Sequence, residues 1–177
     1  MWVFARRLPP TTCVLAPRGL HQVPTGGHSW GVPTPGQSGG SSLQMLQPAA
    51  ASLLSLIDTI SASLHIDDSE FDVMGFSQGA ALAGTLAFFA PTRIGKTVVL
   101  AGFVPNGLEV SSAQRPLVGK EFLVVHGLQD DLISIERARQ SIRVLEAAGA
   151  RVQTCEADVG HRVGAACFRS VERFLRS

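Results

Sequence analysis

Short apolar runs that alternate with helix-like segments constrain the fold of this chain most. The runs FDVMGF (71–76), KTVVLAGF (96–103), EFLVVHG (121–127) and RVQTCEA (151–157) have the length and composition of strands. Two of them are nearly unbroken in their apolar character, which is typical of parallel strands covered by helices on both faces. The alternation of strand and helix therefore predicts an α/β fold with right-handed crossovers, in one domain of residues 1–177.

Helical periodicity fills the intervals between these strands. Pro48 suits the first turn of a helix, and an apolar stripe along that helix, which we expect in the core, comprises Leu53, Leu56, Ile57, Ile60 and Leu64. Further helices are predicted over 78–90, 134–150 and 165–175.

The first 42 residues are less regular. Residues 1–8 have the pattern of the end of an amphipathic helix, stopped by two prolines, and TTCVLAP (11–17) predicts a short strand. Residues 18–42 are mostly Gly, Pro, Ser, Thr and His, so we expect a long loop there. Its histidines, His21 and His28, have no carboxylate or cysteine nearby and are expected to be exposed rather than metal ligands.

Charge and hydropathy exclude several classes of protein. The formal net charge is +1 and no run of Lys or Arg is present, so nucleic acid and anionic membranes are not expected partners. The N-terminal MWVFARRLPP reverses the order of a signal peptide, and no stretch of about 18 uninterrupted apolar residues follows. We therefore expect no integral membrane segment and a cytoplasmic location.

The three cysteines, Cys13, Cys155 and Cys167, are odd in number and far apart. They show neither metal-ligand spacing nor a C-x-x-C pair, which disfavours a disulfide framework and a zinc site. We expect buried free thiols, and no metal or other cofactor.

The pentapeptide Gly75-Phe76-Ser77-Gln78-Gly79 stands between a predicted strand and a predicted helix. In that setting a serine occupies the strained turn of a nucleophile elbow, with its hydroxyl exposed above the sheet edge. The two glycines would let strand and helix pass close together, and the backbone N–H of Gln78 would stabilise an oxyanion. The pentapeptide alone also fits a helix start that Ser77 merely caps.

A serine nucleophile needs a base that takes its proton and an acid that orients the base. Asp130 and Asp131 follow the strand at 121–127, and His161 lies between the last strand and the last helix. The order serine, aspartate, histidine is that of α/β-hydrolases. The pattern does not separate Asp130 from Asp131, and His126 is an alternative base.

Five segments carry a more specific likeness: VLAPRG with a downstream GGHSW, GFSQGAALAG, VVLAGFVP, VVHGLQDDLIS and GHRV. Together they resemble the phospholipase/carboxylesterase family of α/β-hydrolases, which includes bacterial carboxylesterases and acyl-protein thioesterases. The resemblance covers nearly the whole chain. It implies a three-layer α/β-hydrolase sheet, mostly parallel, and hydrolysis of small-molecule carboxylic esters or thioesters.

The resemblance also assigns roles. It makes Ser77 the nucleophile and His161 the general base, and it favours Asp130 as the acid because the family's aspartate lies four residues after the histidine of HG. It brings Trp30 and Phe103 to the active-site edge, where they would line an acyl pocket, although packing alone would explain both equally well.

The chain also departs from the family pattern. Family members carry strands ahead of the one expected at 11–17, and one of them ends in an HG-G-type loop that completes the oxyanion hole. No such segment is visible here, so we expect an N-terminally shortened sheet in which 11–17 and 71–76 pair directly or leave an open seam. An unpaired edge could support a homodimer. The departure motivates an alternative function: a catalytically weak or inactive remnant that binds a ligand or partner.

Overall fold

The computed structural model describes residues 2–6, 8–24, 26–32, 41–108 and 113–177. In chain order the elements are α1 (Trp2–Ala5), β1 (His21–Gln22), β2 (His28–Ser29), α2 (Leu43–Leu64), β3 (Phe71–Phe76), α3 (Gln78–Phe89), β4 (Ile94–Leu100), β5 (Glu121–Gly127), α4 (Ile135–Ala147), β6 (Arg151–Ala157) and α5 (Ala165–Arg176).

Strands β3 to β6 form one parallel sheet in the order β3-β4-β5-β6. The register places Val99 opposite Val124, and Val124 opposite Thr154. The α/β prediction with a parallel sheet is confirmed. Strands β3, β5 and β6 have the predicted bounds, whereas β4 begins and ends a few residues earlier than its apolar run.

Helices cover both faces of this sheet, as the apolar strands require. Because side chains alternate along a strand, β4 and β5 divide their residues between two cores. The core shared with α1 and α5 contains Val98, Leu100, Leu123 and Val125. The core shared with α2, α3 and α4 contains Val99, Phe122 and Val124. The result is a three-layer arrangement in which the segments that follow the four parallel strands all leave the same end of the sheet.

The strand predicted at 11–17 does not form, and this prediction is wrong. The segment has no regular structure and is largely exposed, and the sheet order among the described residues begins at β3. A β-prone segment becomes a strand only when a neighbour supplies hydrogen bonds. Direct pairing of 11–17 with β3 is therefore not observed, and the homodimer expected from an open edge stays a prediction.

Helix α2 begins earlier than predicted. Ser42 is its N-cap and accepts a hydrogen bond from the Met45 N–H at 3.3 Å, so Pro48 is the sixth helical residue rather than a first-turn residue. The expected core stripe is also only partly correct. Leu53 is buried, but Leu56 and Leu64 are 41% and 59% exposed.

The buried residues of α2 are instead Leu46, Ala49, Ala50, Leu53 and Ser61. By length and composition alone, α2 is long and apolar enough to cross a membrane, with a mean hydropathy of 1.2 over 18 residues. Core helices of soluble proteins pass the same test, and α2 packs on the core that it shares with α3.

Two of the cysteines form a disulfide, which corrects the expectation of free thiols. Cys155 in β6 and Cys167 in α5 are joined across a Cα–Cα distance of 5.6 Å, while Cys13 is free and exposed. The separation of 12 residues does not by itself predict a disulfide, because the two thiols meet only when α5 packs back onto β6. Disulfides are rare in cytosolic proteins, so the cytoplasmic location stays a prediction.

Candidate active site

Ser77 occupies a strained turn between β3 and α3. Its backbone has φ 54° and ψ −118°, in a region that non-glycine residues rarely adopt and that costs about 1–3 kcal/mol. The turn is held by the Ser77 N–H, which donates to the Leu100 carbonyl at 2.9 Å, and by the Ala80 N–H, which donates to the Ser77 carbonyl at 3.0 Å. This is the geometry predicted for a nucleophile elbow.

Gly75 is required by this turn, but Gly79 is not. A Cβ on Gly75 would overlap the backbone carbonyl group of Gly79, because the first turn of α3 lies directly against the end of β3. A Cβ on Gly79 would meet only Trp30 Nε1, at an ordinary 3.7 Å. The expectation that both glycines serve the close approach is confirmed for Gly75 and wrong for Gly79.

We expect Gly75→Ala to lower the free energy of unfolding by more than about 4 kcal/mol, or to prevent folding, because neither backbone can yield. Gly79→Ala, in the first turn of α3, should change it by less than about 1 kcal/mol or stabilise the protein, since alanine is the better helix former. Urea unfolding followed by circular dichroism measures both. Equal stability of the two variants would contradict this account of the turn.

Gln78 contributes through both its backbone and its side chain. As the first residue of α3, it has a backbone N–H that no preceding turn of the helix can bind, as expected for an oxyanion donor. Its side-chain Oε1 accepts a hydrogen bond from the backbone N–H of Trp30 at 2.8 Å, and its Nε2 approaches the Gly31 carbonyl at 3.5 Å. This side-chain role, which the sequence analysis missed, fixes the Trp30 segment beside the elbow.

Asp130 follows β5 and His161 follows β6, and the structure brings them together. His161 Nδ1 lies 2.8 Å from Asp130 Oδ2, while the N–H groups of Leu132 and Ile133 donate to the other carboxylate oxygen at 3.0 and 2.9 Å. Asp131, the alternative acid, is exposed. Of the two candidates, Asp130 is therefore the carboxylate that is hydrogen-bonded to His161.

Two opposing effects act on the pKa of Asp130. Burial alone raises the pKa, since it penalises the charged carboxylate. The hydrogen bonds from the Ile133 N–H, from His161 and from the Leu132 N–H outweigh burial and hold the pKa below its ordinary value. The carboxylate is therefore ionised near neutral pH, as an orienting acid must be.

Gly127, at the end of β5, lets the His161 loop approach the sheet. A Cβ there would overlap the backbone carbonyl groups of Val159 and Gly160. The same loop is tied down by the Gln129 N–H, which donates to the Val159 carbonyl at 3.0 Å. In the sequence, the feature that corresponds to this contact is the glycine that follows His126.

His126, the alternative base, has a different environment. Its side chain is 1% exposed, and Nε2 lies 2.8 Å from the Ile133 carbonyl and 3.5 Å from Asp130 Oδ2. Nε2 therefore donates to this carbonyl and cannot accept a proton from a serine, and Nδ1 is buried with no hydrogen-bond partner among the described residues. His126 therefore supports the Asp130 loop. His21 and His28 are exposed, as expected.

Ser77 and His161 lie on the same edge without being hydrogen-bonded. The ring of Phe76, next to Ser77, is 4.9 Å from the His161 ring between centroids. Within the described residues, no hydrogen bond joins Ser77 Oγ to His161. Catalytic hydrogen bonds are often long in unliganded enzymes and tighten with substrate, so the missing bond is compatible with a role of both side chains in one site.

The two candidate pocket residues differ in their surroundings. Trp30 is half-buried beside Gly79 and is held by Gln78, and its contact with substrate stays a prediction. Phe103 is 4% exposed in the core, with the Arg137 guanidinium 3.7 Å from its ring centroid. Packing accounts for Phe103, and its contact with substrate stays a prediction.

Known structures show the same fold. A carboxylesterase from Mesorhizobium loti matches with a TM-score of 0.82 at 20% identity, over 99% of this chain and 80% of that one. The Bacillus cereus carboxylesterase matches with a TM-score of 0.75 at 18% identity, over 90% and 72%. Arabidopsis thaliana SOBER1 matches with a TM-score of 0.69 at 22% identity, over 91% and 80%.

Sequence comparison identifies the family of the chain, which the fold alone does not. No curated protein sequence matches it. Residues 12–177, however, match the family described as Phospholipase/Carboxylesterase, which is the family that the motifs around Ser77, Asp130 and His161 resemble. The chain therefore belongs to the phospholipase/carboxylesterase family of α/β-hydrolases.

Proposed function

We propose that the protein is a serine hydrolase that cleaves small carboxylic esters or thioesters through an acyl-enzyme on Ser77. One observation carries the proposal: the Asp130–His161 hydrogen bond of 2.8 Å lies at the sheet edge that also presents the strained Ser77. Membership of a carboxylesterase family supports the reaction class.

The hydrogen bond to Asp130 occupies His161 Nδ1 and leaves Nε2 as the basic nitrogen. In the proposed reaction Nε2 takes the proton of Ser77 Oγ as that oxygen attacks the substrate carbonyl carbon. The Gln78 N–H donates to the resulting oxyanion. The imidazolium then returns its proton to the departing alcohol or thiol, and a water molecule repeats the sequence to release the acid.

A catalytically weak or inactive binding module is the second candidate. The observation that favours it is the missing hydrogen bond between Ser77 and His161 in the described residues. Losing one oxyanion donor typically costs about 10² to 10³ in turnover, so an incomplete hole would act in the same direction. The two candidates differ in whether Ser77 is nucleophilic.

Labelling by a fluorophosphonate probe separates them. We expect native protein to be labelled on one peptide, the one that contains Ser77, because only an activated hydroxyl attacks the phosphorus. Heat-denatured protein and the Ser77→Ala variant are the controls. Equal labelling of native and Ser77→Ala protein, or no labelling of native protein after long incubation, would contradict the proposed function and favour the binding module.

A further inference from the structure

We infer that the Cys155–Cys167 disulfide is a redox-responsive clamp that positions His161; the inference rests on the proposed function. Cys155 lies near the end of β6 and Cys167 lies in the first turn of α5. The bond closes a ring across a separation of 12 residues, and His161 lies halfway along it. Cys155 and Cys167 are therefore positioning residues, because they act on the reaction only through His161.

The two halves of the ring are held differently. Two hydrogen bonds join the half before His161 to the residues that follow β5. The Leu128 N–H donates to the Ala157 carbonyl at 2.8 Å, and the Gln129 N–H donates to the Val159 carbonyl at 3.0 Å. The half after His161 makes local bonds, such as the Arg162 N–H to the Gly160 carbonyl at 2.7 Å.

The disulfide supplies a covalent anchor for that second half. Cys167 is fully buried among residues of the sheet face that packs on α5. Its bond to Cys155 fixes the first turn of α5 directly on β6, and Gly164, just before α5, packs closely on Ala157. The position of His161 is thus set by two covalently linked elements.

A surface groove borders the disulfide on the side of Cys155. Cys155 lines an open groove of about 520 Å³ together with Ala166, Arg169, Ser170, Glu172 and Arg173. Two arginines that line the same groove, Arg169 and Arg173, favour an incoming thiolate. Attack on Cys155 Sγ would expel the buried Cys167 as the leaving thiol, which is the usual course of thiol–disulfide exchange.

The reaction balances with a dithiol as reductant. The first thiolate forms a mixed disulfide with Cys155 and releases Cys167, and the second thiol of the same reductant displaces Cys155. Two electrons and two protons pass to Cys155 and Cys167, and the dithiol is oxidised to its own cyclic disulfide. In a reducing compartment, a disulfide is typically transient and either catalytic or redox-sensing.

The test compares oxidised protein with protein reduced by dithiothreitol and desalted without oxygen. For a short-chain nitrophenyl ester we expect kcat to fall between about tenfold and 100-fold on reduction, since small misplacements of a catalytic group have effects of that size. KM should stay within about twofold, because the disulfide does not touch the substrate. Reoxidation should restore kcat. The Cys13→Ser variant is the matched control and should respond in the same way.

A second variant and a second readout keep the test decisive. Cys155→Ala/Cys167→Val retains apolar packing and should show the low kcat whatever the redox state. Hydrogen exchange at 158–164 should accelerate in the reduced, folded protein even if Ser77 proves inactive, which separates failure of the clamp from failure of the proposed function. Three free thiols in the oxidised protein, or reduction that changes neither kcat nor exchange, would overturn the inference.

Discussion

Replacing Ser77 by alanine is expected to lower kcat/KM for a short-chain nitrophenyl ester at least about 10⁴-fold, because removal of a nucleophile leaves only what binding and the oxyanion donor can contribute. The change should leave the fold intact. Within the described residues the Ser77 side chain caps no backbone group of α3, and alanine meets the same strain at φ 54° as serine does.

The matched control for this experiment is Ser63→Ala. Ser63 is exposed on α2, and its hydroxyl bonds only the Thr59 carbonyl of its own helix, at 2.8 Å. Both variants should unfold near the wild-type urea midpoint, and only Ser77→Ala should lose turnover. Hydrolysis by the Ser77→Ala protein at more than a tenth of the wild-type rate would show that the reaction does not pass through this hydroxyl.

The second large effect is expected from Asp130→Asn, which should lower kcat about 10⁴-fold. The amide keeps the volume of the carboxylate but can place its NH₂ group toward His161. It would then stabilise the wrong imidazole tautomer, with the proton on Nε2, and His161 could no longer accept the proton of Ser77. Steady-state hydrolysis of the same nitrophenyl ester measures the loss.

Asp131→Asn makes the same chemical change one residue away. Asp131 is exposed. We therefore expect the kcat of the Asp131→Asn variant to stay within about twofold of wild type, since solvent and salt screen an exposed charge. A large loss in Asp131→Asn with full activity in Asp130→Asn would reverse the assignment of the orienting acid. Equal, small losses in both would show that turnover depends on neither carboxylate and would contradict the proposed role of Asp130.

Elements whose signal lies within their own residues were predictable. The buried strand β5 was found with correct bounds because an apolar run that ends in glycine is a local feature. The start of α2 was missed because its cap, Ser42, follows a Gly- and Ser-rich stretch in which one more serine carries no signal.

Features that depend on a distant neighbour were not predictable. The segment 11–17 has strand composition, but among the residues that the structure describes no sheet neighbour makes it a strand. The Cys155–Cys167 bond requires α5 to return onto β6, which spacing alone does not indicate.

The residues of the candidate site show the same difference between local features and features that depend on distant residues. Motif order pointed to Ser77 and His161, and resemblance chose Asp130 over Asp131. The pattern of residues could not make that choice, because adjacent carboxylates in a turn differ only in where the fold directs them. The role of the Gln78 side chain as a tether for Trp30 connects residues 48 positions apart, and no local pattern encodes it.

The close backbone contact between the His161 loop and Gly127 affects how many substitutions the site can tolerate. Where backbone rests on backbone, the spacing does not depend on the size of any core side chain. Apolar residues beneath the sheet can then be exchanged without lifting the imidazole from its carboxylate. Tolerance of this kind fits a fold that is retained at a TM-score of 0.82 although only 20% of the residues are identical.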